Sequence, residues 1–246
     1  STCYDDSFSF SSRYDTNGGI SDQSNIFFIY HYPKPDDISQ DQKDYIQSVI
    51  FEFESVLLSE NNEELLNLIY LQSFIDFFII NELSKNPDGY RLSTFLNKDF
   101  NGKLKMGPIW DFNLAYANVD YCDGANPIGW IYNFNSICPG DIWQVPFWWK
   151  VLMQKEVFKT ALKNRWSSLR SSSLSNSTIL NTIDSYTENL NSNNITNQNF
   201  YVWPVLGQYI WPNFFVGSTH EEEIEFLKNW IDDRLDWMDM EINSLN

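Results

Sequence analysis

The segment MGPIWDFNLAYAN, residues 106–118, determines how the fold and function of this 246-residue chain are interpreted. It reads as a buried strand that ends at Asp111, and the amides of Asn113 and Asn118 follow closely. A carboxylate held at a strand end among apolar neighbours is a typical oxygen ligand for a hard cation such as Mg²⁺. A metal in that place can bridge the phosphates of a nucleotide.

A second carboxylate, Asp88, precedes this segment in NELSKNPDGYRLS, residues 81–93. A long apolar helix is expected to end there, because Pro87 stops helical propagation and Gly89 permits a tight turn. Asp88 is therefore predicted to lie on a loop at a helix end, where functional residues concentrate.

Between the two acids the sequence predicts a β-hairpin. Residues 91–97 and 103–110 read as strands, and Asn101-Gly102 between them favours the positive φ angles of a hairpin turn. Because a hairpin folds the chain back on itself, Asp88 and Asp111 are expected to converge at its open end. The alternative, in which Asp88 caps a turn and Asp111 merely ends a strand, stays open at this point.

These motifs resemble the CotH family, the spore-coat-protein-H-like atypical kinases that are found mostly as secreted or surface proteins. The resemblance covers roughly residues 35 to 240. Besides NELSKNPDGYRLS it rests on GKLKMGPIWDFNLAYAN (102–118), ICPGDIWQVPFWWKVL (137–152) and YIWPNFFVG (209–217). It implies a divergent protein-kinase-like fold that transfers phosphate from ATP to Ser or Thr of a protein substrate. At the matching positions, Asp88 is the catalytic aspartate that orients and deprotonates the substrate hydroxyl, and Asp111 is the metal-binding aspartate.

Four further residues complete the predicted site. Asn113 stands where the family usually has a second metal-binding Asp, so with Asp111 it is a candidate ligand of Mg²⁺, and Asn118 is an auxiliary ligand candidate. Lys85 and Arg91 are candidates to offset phosphate charge in the nucleotide site. The alternative for both bases is a solvent-facing position beside the loop.

Three departures from the family pattern affect the expected activity. Asn113 brings no charge, so a second metal would bind more weakly. Ala117 replaces the family's Gly, which constrains the backbone if that position needs a positive φ. Residues 1–37 look like a remnant of an N-terminal lobe, of strand and loop, before a helical C-terminal lobe over 38–246. We therefore expect a missing N-terminal lobe, with its phosphate-contacting Lys, and impaired activity in this chain.

The composition excludes some partners. The chain carries 33 acids and 16 bases, a net charge of −17, so binding to nucleic acid or to an anionic membrane is not expected. Bound Mg²⁺, rather than basic residues, should neutralise most of a nucleotide's charge. The most apolar segment, residues 65–80, is too short and interrupted to span a bilayer. A secreted or cell-surface location is expected, with any signal peptide removed before Ser1 or left out of this sequence.

Three cysteines are present. Cys122 and Cys138 flank a loop of turn-forming and aromatic residues and are predicted to form a disulfide, which in the chain-entropy model would contribute about 3 kcal/mol. Two buried free thiols are the alternative, and Cys3 is left over. The two histidines, His31 and His220, lie in unrelated contexts, so neither a Cys–His nucleophile nor a zinc site is expected.

The remaining pattern predicts an α+β fold that is predominantly α. Ser39 and Gln42 form a capping box for a helix to about Leu58, and a second helix should cover about 63–84. Asp76 within it is expected to face a cleft or to pair with a base. Amphipathic patterns predict further helices near 146–152, 158–169 and 179–190, an amide-rich loop over 191–199, and a last helix from Ser218 or Thr219.

A binding module is the alternative to an enzyme. Exposed Trp and Tyr stack on sugar rings and form protein interfaces, so residues 130–149 and 201–211 could form a face for carbohydrate or protein in a non-catalytic adhesion or scaffold domain. Exposure discriminates between the two hypotheses. Burial of Trp130, Trp143, Trp148 and Trp203 would leave the stacking surface without a basis.

Overall fold

A computed structural model describes residues 7–15 and 25–245 of the chain, which are mainly helical. The strands are β1 (Ser9–Ser11), β2 (Phe27–Ile29), β3 (Leu96–Asn97) and β4 (Lys105–Met106). The helices are α1 (Gln40–Leu58), α2 (Asn62–Leu68), α3 (Leu71–Ser84), α4 (Phe134–Ile137), α5 (Trp148–Leu152), α6 (Glu156–Arg170), α7 (Asn176–Ser192), α8 (Ile195–Val202) and α9 (His220–Ser244). This content confirms the predicted α+β class with α predominant.

The chain divides into two compact units. The first comprises Ser1–Phe74, Tyr90–Ile109 and Tyr132–Phe158, and the second comprises Ile75–Gly89, Trp110–Ile131 and Lys159–Asn246. The predicted division at residue 37, by contrast, follows from the resemblance to a two-lobed kinase and stays a prediction.

In the first unit, α1 begins as the sequence predicts. The Ser39 side chain accepts the Gln42 N–H and the Gln42 side chain accepts the Ser39 N–H, so both halves of the capping box are present. The helix buries an apolar face that includes Phe53 and Leu57. β1 and β2 pair in antiparallel register, with Phe10 opposite Phe28.

Trp148 of α5 lies in the core of this first unit and is only 1% exposed. Its ring stacks on Phe28 at a centroid distance of 5.3 Å and meets Phe53 edge-on at 4.9 Å. Its indole N–H donates to Glu54, which also accepts the Ser12 hydroxyl at 2.7 Å. Burial raises the pKa of the Glu54 carboxyl above its ordinary value, although these hydrogen bonds oppose the shift.

The predicted helix over 63–84 is two helices rather than one. The break lies at Ile69 and Tyr70, because Leu104 pairs with this position: the Leu104 N–H donates to Leu68 O and the Tyr70 N–H donates to Leu104 O, both at 2.8 Å. Leu104, directly before β4, thus takes backbone groups that would otherwise continue the helix.

The predicted hairpin is present, but its strands are shorter than expected. Leu96 pairs with Met106 and Asn97 with Lys105, and the Gly102 N–H closes the turn onto Asp99 O. After one further bond, from the Gly107 N–H to the Phe95 carbonyl, the pairing ends at Pro108, which has no N–H to donate. The expectation of strands over 91–97 and 103–110 was therefore too long at both outer ends.

In the second unit, α9 begins at the predicted cap, where the Thr219 side chain accepts the Glu222 N–H. Its buried face includes Leu235 and Met238. Asp239 of α9 accepts hydrogen bonds from the guanidinium of Arg170 at 2.9 to 3.1 Å. The segment 191–199, expected to be a loop, contains the start of α8 instead, so its amide content did not prevent helix formation.

The cysteines and the apolar helices bear on two further predictions. Cys122 and Cys138 are both disulfide-bonded, which confirms the predicted bridge. Cys3 lies outside the described residues. Within the described residues, no helix combines the length and the apolar content needed to cross a bilayer.

Candidate functional site

Asp88 lies in the turn that follows α3, as the sequence predicts. The turn is tight: the Gly89 N–H donates to Asn86 O, and the Asn86 N–H donates to Asn81 O. A side chain at position 89 would place its Cβ 1.9 Å from the Asn81 Oδ1 atom, so only glycine fits there. The glycine therefore fixes the path of the chain beside Asp88, which is partly exposed.

Asp111 does not end a buried strand. β4 stops at Met106, and Ile109 and Trp110 are exposed, the latter by 61%. Asp111 has a φ of 61°, in the left-handed region that Asp and Asn tolerate better than most residues. The expectation of a buried strand before Asp111 was wrong, because Pro108 ends the pairing before the acid is reached.

The side chain of Asn86 is hydrogen-bonded to the backbones of both Asp88 and Asp111. Its Oδ1 accepts the Asp88 N–H at 3.2 Å, and its Nδ2 donates to the Asp111 carbonyl at 3.5 Å. Asn86 is fully buried. The sequence reasoning missed this residue. The available signal was an amide placed two residues before a loop Asp and directly before Pro87.

Asp111 and Asn113 are the candidate ligands of a hard cation in this segment. The Asp111 carboxylate and the Asn113 amide are exposed, and neither side chain has a hydrogen-bond partner within the described residues. Asn118 differs, because its Nδ2 donates to the Asn113 carbonyl at 2.7 Å and closes the local turn. The described ranges contain no group of three or more His, Cys, Asp or Glu that could hold a metal. One carboxylate and one amide oxygen are compatible with Mg²⁺, which usually keeps several waters and binds substrate phosphates.

The motif continues through two consecutive residues with left-handed backbone, Tyr116 at φ 54° and Ala117 at φ 63°. The Tyr116 N–H donates to Ser84 O at 2.7 Å, which attaches the motif to the end of α3. Position 117 thus has the positive φ for which the family's glycine is suited.

Replacing Ala117 with glycine should therefore change stability little. A left-handed backbone costs an L-residue about 1–2 kcal/mol, and its relief should offset the loss of one buried methyl, about 1 kcal/mol. Ala115 is equally buried but has no positive φ, so Ala115→Gly should destabilise the protein by about 1–2 kcal/mol relative to Ala117→Gly. Urea unfolding of both variants measures the difference, and equal losses would contradict the argument from strain.

The side chain of Lys85 is buried and bonded within the protein, whereas a residue that binds phosphate must be accessible. Lys85 is fully buried, and its ammonium donates to the carbonyls of Asp123, Asn126 and Ile128 at 2.7 to 2.8 Å and to the Asp123 carboxylate at 3.2 Å. Burial lowers the pKa of Lys85, while Asp123 opposes that shift. Because these oxygens use all its donors, Lys85 holds the loop over 123–128 and is not part of the proposed phosphate site.

Arg234 of α9 holds the same loop from a second buried position. Its guanidinium donates to the carbonyls of Pro127 and Gly129 at 2.7 and 2.8 Å, and to the Glu82 carbonyl and carboxylate at 2.8 and 3.2 Å. The Glu82 carboxylate also accepts the Ile131 N–H at 2.8 Å. Two buried cations, one directly after α3 and one on α9, therefore satisfy the carbonyls of one loop.

The guanidinium of Arg91 also has partners within the protein. Its nearly buried side chain donates to the Asp141 carboxylate and the Trp143 carbonyl, both at 3.1 Å, and its guanidinium lies 4.1 Å from the ring centre of Phe134. These partners account for the charge, so Arg91 is not proposed as a phosphate ligand.

Four further aspartates have partners of their own. Asp76 forms the expected ion pair, with Arg165 at 2.7 Å. Asp120 accepts the Tyr209 hydroxyl at 2.5 Å. With Asp123 bound to Lys85 and Asp141 bound to Arg91, these acids contribute to packing rather than to the surroundings of Asp111.

The tryptophans of the two segments proposed to bind carbohydrate or protein differ in their exposure to solvent. Trp148 is buried, and Trp130 and Trp143 are partly buried, so these rings do not form an exposed stacking surface. Trp203, in contrast, is 64% exposed, and several other apolar side chains between residues 201 and 214 are also exposed. The second aromatic segment therefore remains available for binding.

Comparison with known proteins identifies a family. A family model described as CotH kinase protein matches residues 11–238. No curated protein and no solved structure matches the chain.

Proposed function

Because the chain belongs to the CotH kinase protein family, we propose that it transfers phosphate from Mg-ATP to Ser or Thr of a secreted or surface protein. The family supports a kinase-like function, and the protein substrate and the use of Mg-ATP are the proposed part. The observation that carries the proposal is the pair of hydrogen bonds by which Asn86 joins the backbones of Asp88 and Asp111.

The two acids have different proposed roles. Asp88 orients the substrate hydroxyl and accepts its proton as the oxygen attacks the γ-phosphorus and the bond to ADP breaks. Asp111, with the amide oxygen of Asn113, would hold Mg²⁺. The metal, when bound, neutralises charge on the phosphate oxygens.

The remaining residues position this pair. Asn86 fixes the spacing of the Asp88 and Asp111 backbones, and Asn118 fixes the turn that carries Asn113. Lys85 and Arg91 have other partners, which leaves Mg²⁺ as the main counter-charge for the nucleotide. The disulfide is typical of an oxidising compartment and supports the proposed secreted or surface location.

Calorimetric titration with ATP in the presence and absence of Mg²⁺ tests the nucleotide site directly. We expect saturable binding that requires Mg²⁺, because the site offers one carboxylate and few basic groups. Incubation with ATP labelled at the γ-phosphate, with casein as acceptor, then tests transfer. Absence of both Mg-dependent binding and transfer would contradict the proposal.

A second candidate function is a non-catalytic adhesion or scaffold module. The exposure of Trp203 and its neighbours favours it, because large exposed apolar patches often mark interaction sites. The two functions use different residues, so one chain can have both.

A further inference from the structure

A polar cavity of about 510 Å³ lies beside α8 in the second unit. The end of α7, the length of α8 and the start of α9 contribute its walls. Its size falls within the range of small-molecule sites, about 300–1,000 Å³. None of the residues proposed for phosphate transfer lines it.

The cavity offers unused hydrogen-bonding groups. The Nδ1 atom of His220 is buried and has no partner within the described residues. Asn191 uses its Oδ1 to accept the Thr196 hydroxyl, and Asn197 uses its Nδ2 to donate to Asn194, so each amide keeps one end for a ligand. A buried polar atom without a partner is destabilising, and a hydrogen bond from a ligand hydroxyl would remove that cost.

The residues that line the cavity do not favour a charged ligand. Glu221 is the single charged residue among the described residues that line the cavity, and no Lys or Arg accompanies it. An anionic ligand would meet no Lys or Arg and would be repelled by a chain of net charge −17. A cation would have one exposed carboxylate as partner. A neutral ligand with many hydroxyls matches the lining better.

Aromatic rings complete the site. Tyr201 lines the cavity and is 89% exposed, and Phe200 lies against His220 with ring centres 5.9 Å apart. An aromatic ring at the rim presents an apolar face to the C–H groups of a ligand, while its phenol stays in water. Amide, imidazole and hydroxyl groups beside an exposed ring have the chemistry required to bind a sugar.

We propose that this cavity binds a neutral saccharide of one or two units, with Tyr201 as the stacking platform and Asn191, Asn197 and His220 as hydrogen-bonding groups. This site gives the second candidate function, an adhesion or scaffold module, a defined class of ligand. It does not depend on phosphate transfer, since it shares no residue with Asp88, Asp111 or their neighbours.

Calorimetry on the full chain tests the site, using methyl glycosides of glucose, galactose, mannose and N-acetylglucosamine and a neutral disaccharide of each. We expect saturable binding of at least one probe. Tyr201→Ala should weaken that binding about tenfold or more. Tyr186→Ala is the matched control, because Tyr186 is also an exposed tyrosine of this unit but does not line the cavity.

His220→Phe provides a second, independent variant, since it keeps a ring at this position and removes the imidazole nitrogens. It should also weaken binding at least about tenfold. No binding by any probe, or equal losses in Tyr201→Ala and Tyr186→Ala, would overturn the proposal. Because Mg-ATP binding is measured separately, failure here is distinguishable from failure of the kinase assignment.

Discussion

The Asp111→Asn variant should lose at least about 100-fold in phosphate transfer and should bind Mg-ATP much more weakly, while its fold is unchanged. Asparagine tolerates the positive φ of position 111 and keeps the backbone carbonyl that Asn86 contacts, but it brings no charge to the metal. Alanine would add backbone strain to the loss of the carboxylate. The measurements are initial rates of phosphate incorporation and calorimetric titration with Mg-ATP.

The Asp88→Asn variant separates the two proposed roles. Removing the base should lower kcat by about 10²–10⁴-fold, whereas Mg-ATP binding should be nearly unchanged because the metal ligands remain. Asp236→Asn, a change of the same charge at an exposed position of α9, should alter neither quantity. If both active-site variants transferred phosphate at the wild-type rate, the assigned roles would be wrong.

The Lys85→Met variant should lose about 3–5 kcal/mol of unfolding free energy, a large part of the stability of a typical domain. Methionine fills similar space, but the carbonyls of Asp123, Asn126 and Ile128 lose their donor inside the protein. The backbone strain at position 85, where φ is 46°, is common to both residues and does not contribute to the difference. Urea unfolding monitored by tryptophan fluorescence gives the free energies.

Lys34→Met is the matched control for this change. Lys34 is exposed, so its replacement should alter the unfolding free energy by less than about 0.5 kcal/mol. A loss below about 1 kcal/mol in Lys85→Met would indicate that water replaces the ammonium at the loop carbonyls. In that case the buried lysine would not be the element that holds the loop.

Local features of the fold were predictable. The capping box at Ser39 and the cap at Thr219 depend on residues within a few positions of each other, so the printed order of side chains contains the whole interaction. The hairpin turn was predicted at the right place, but Asn101 and Gly102 lack the positive φ angles expected of them, and the turn closes from the Gly102 N–H to Asp99 O. The disulfide was also predictable, because few cysteines leave few pairings. Predictions failed where a distant partner intervened, as when Leu104 interrupts the helix expected over 63–84.

The candidate site also contains features that depend on nearby residues and features that depend on distant ones. Sequence motifs identified Asp88 and Asp111 as the acids of interest, but not the residue that connects them, since the Asn86–Asp111 bond spans 25 positions. Nor could they show that Lys85 is buried. Its carbonyl partners lie 38 to 43 positions away, on a loop that a second cation, Arg234, also contacts.

The amino-acid sequence by itself determined the family, the predominance of helix, the two acids and the disulfide, because these depend on residue identity and short-range periodicity. Only the tertiary structure decided which charged groups remain available to a ligand. Burial and long-range hydrogen bonds remove Lys85 and Arg91 from solvent, leave the Asp111 carboxylate exposed, and gather amides and aromatic rings around one cavity. The physical reason is that solvation and partner geometry are properties of the folded surroundings of a side chain rather than of its type.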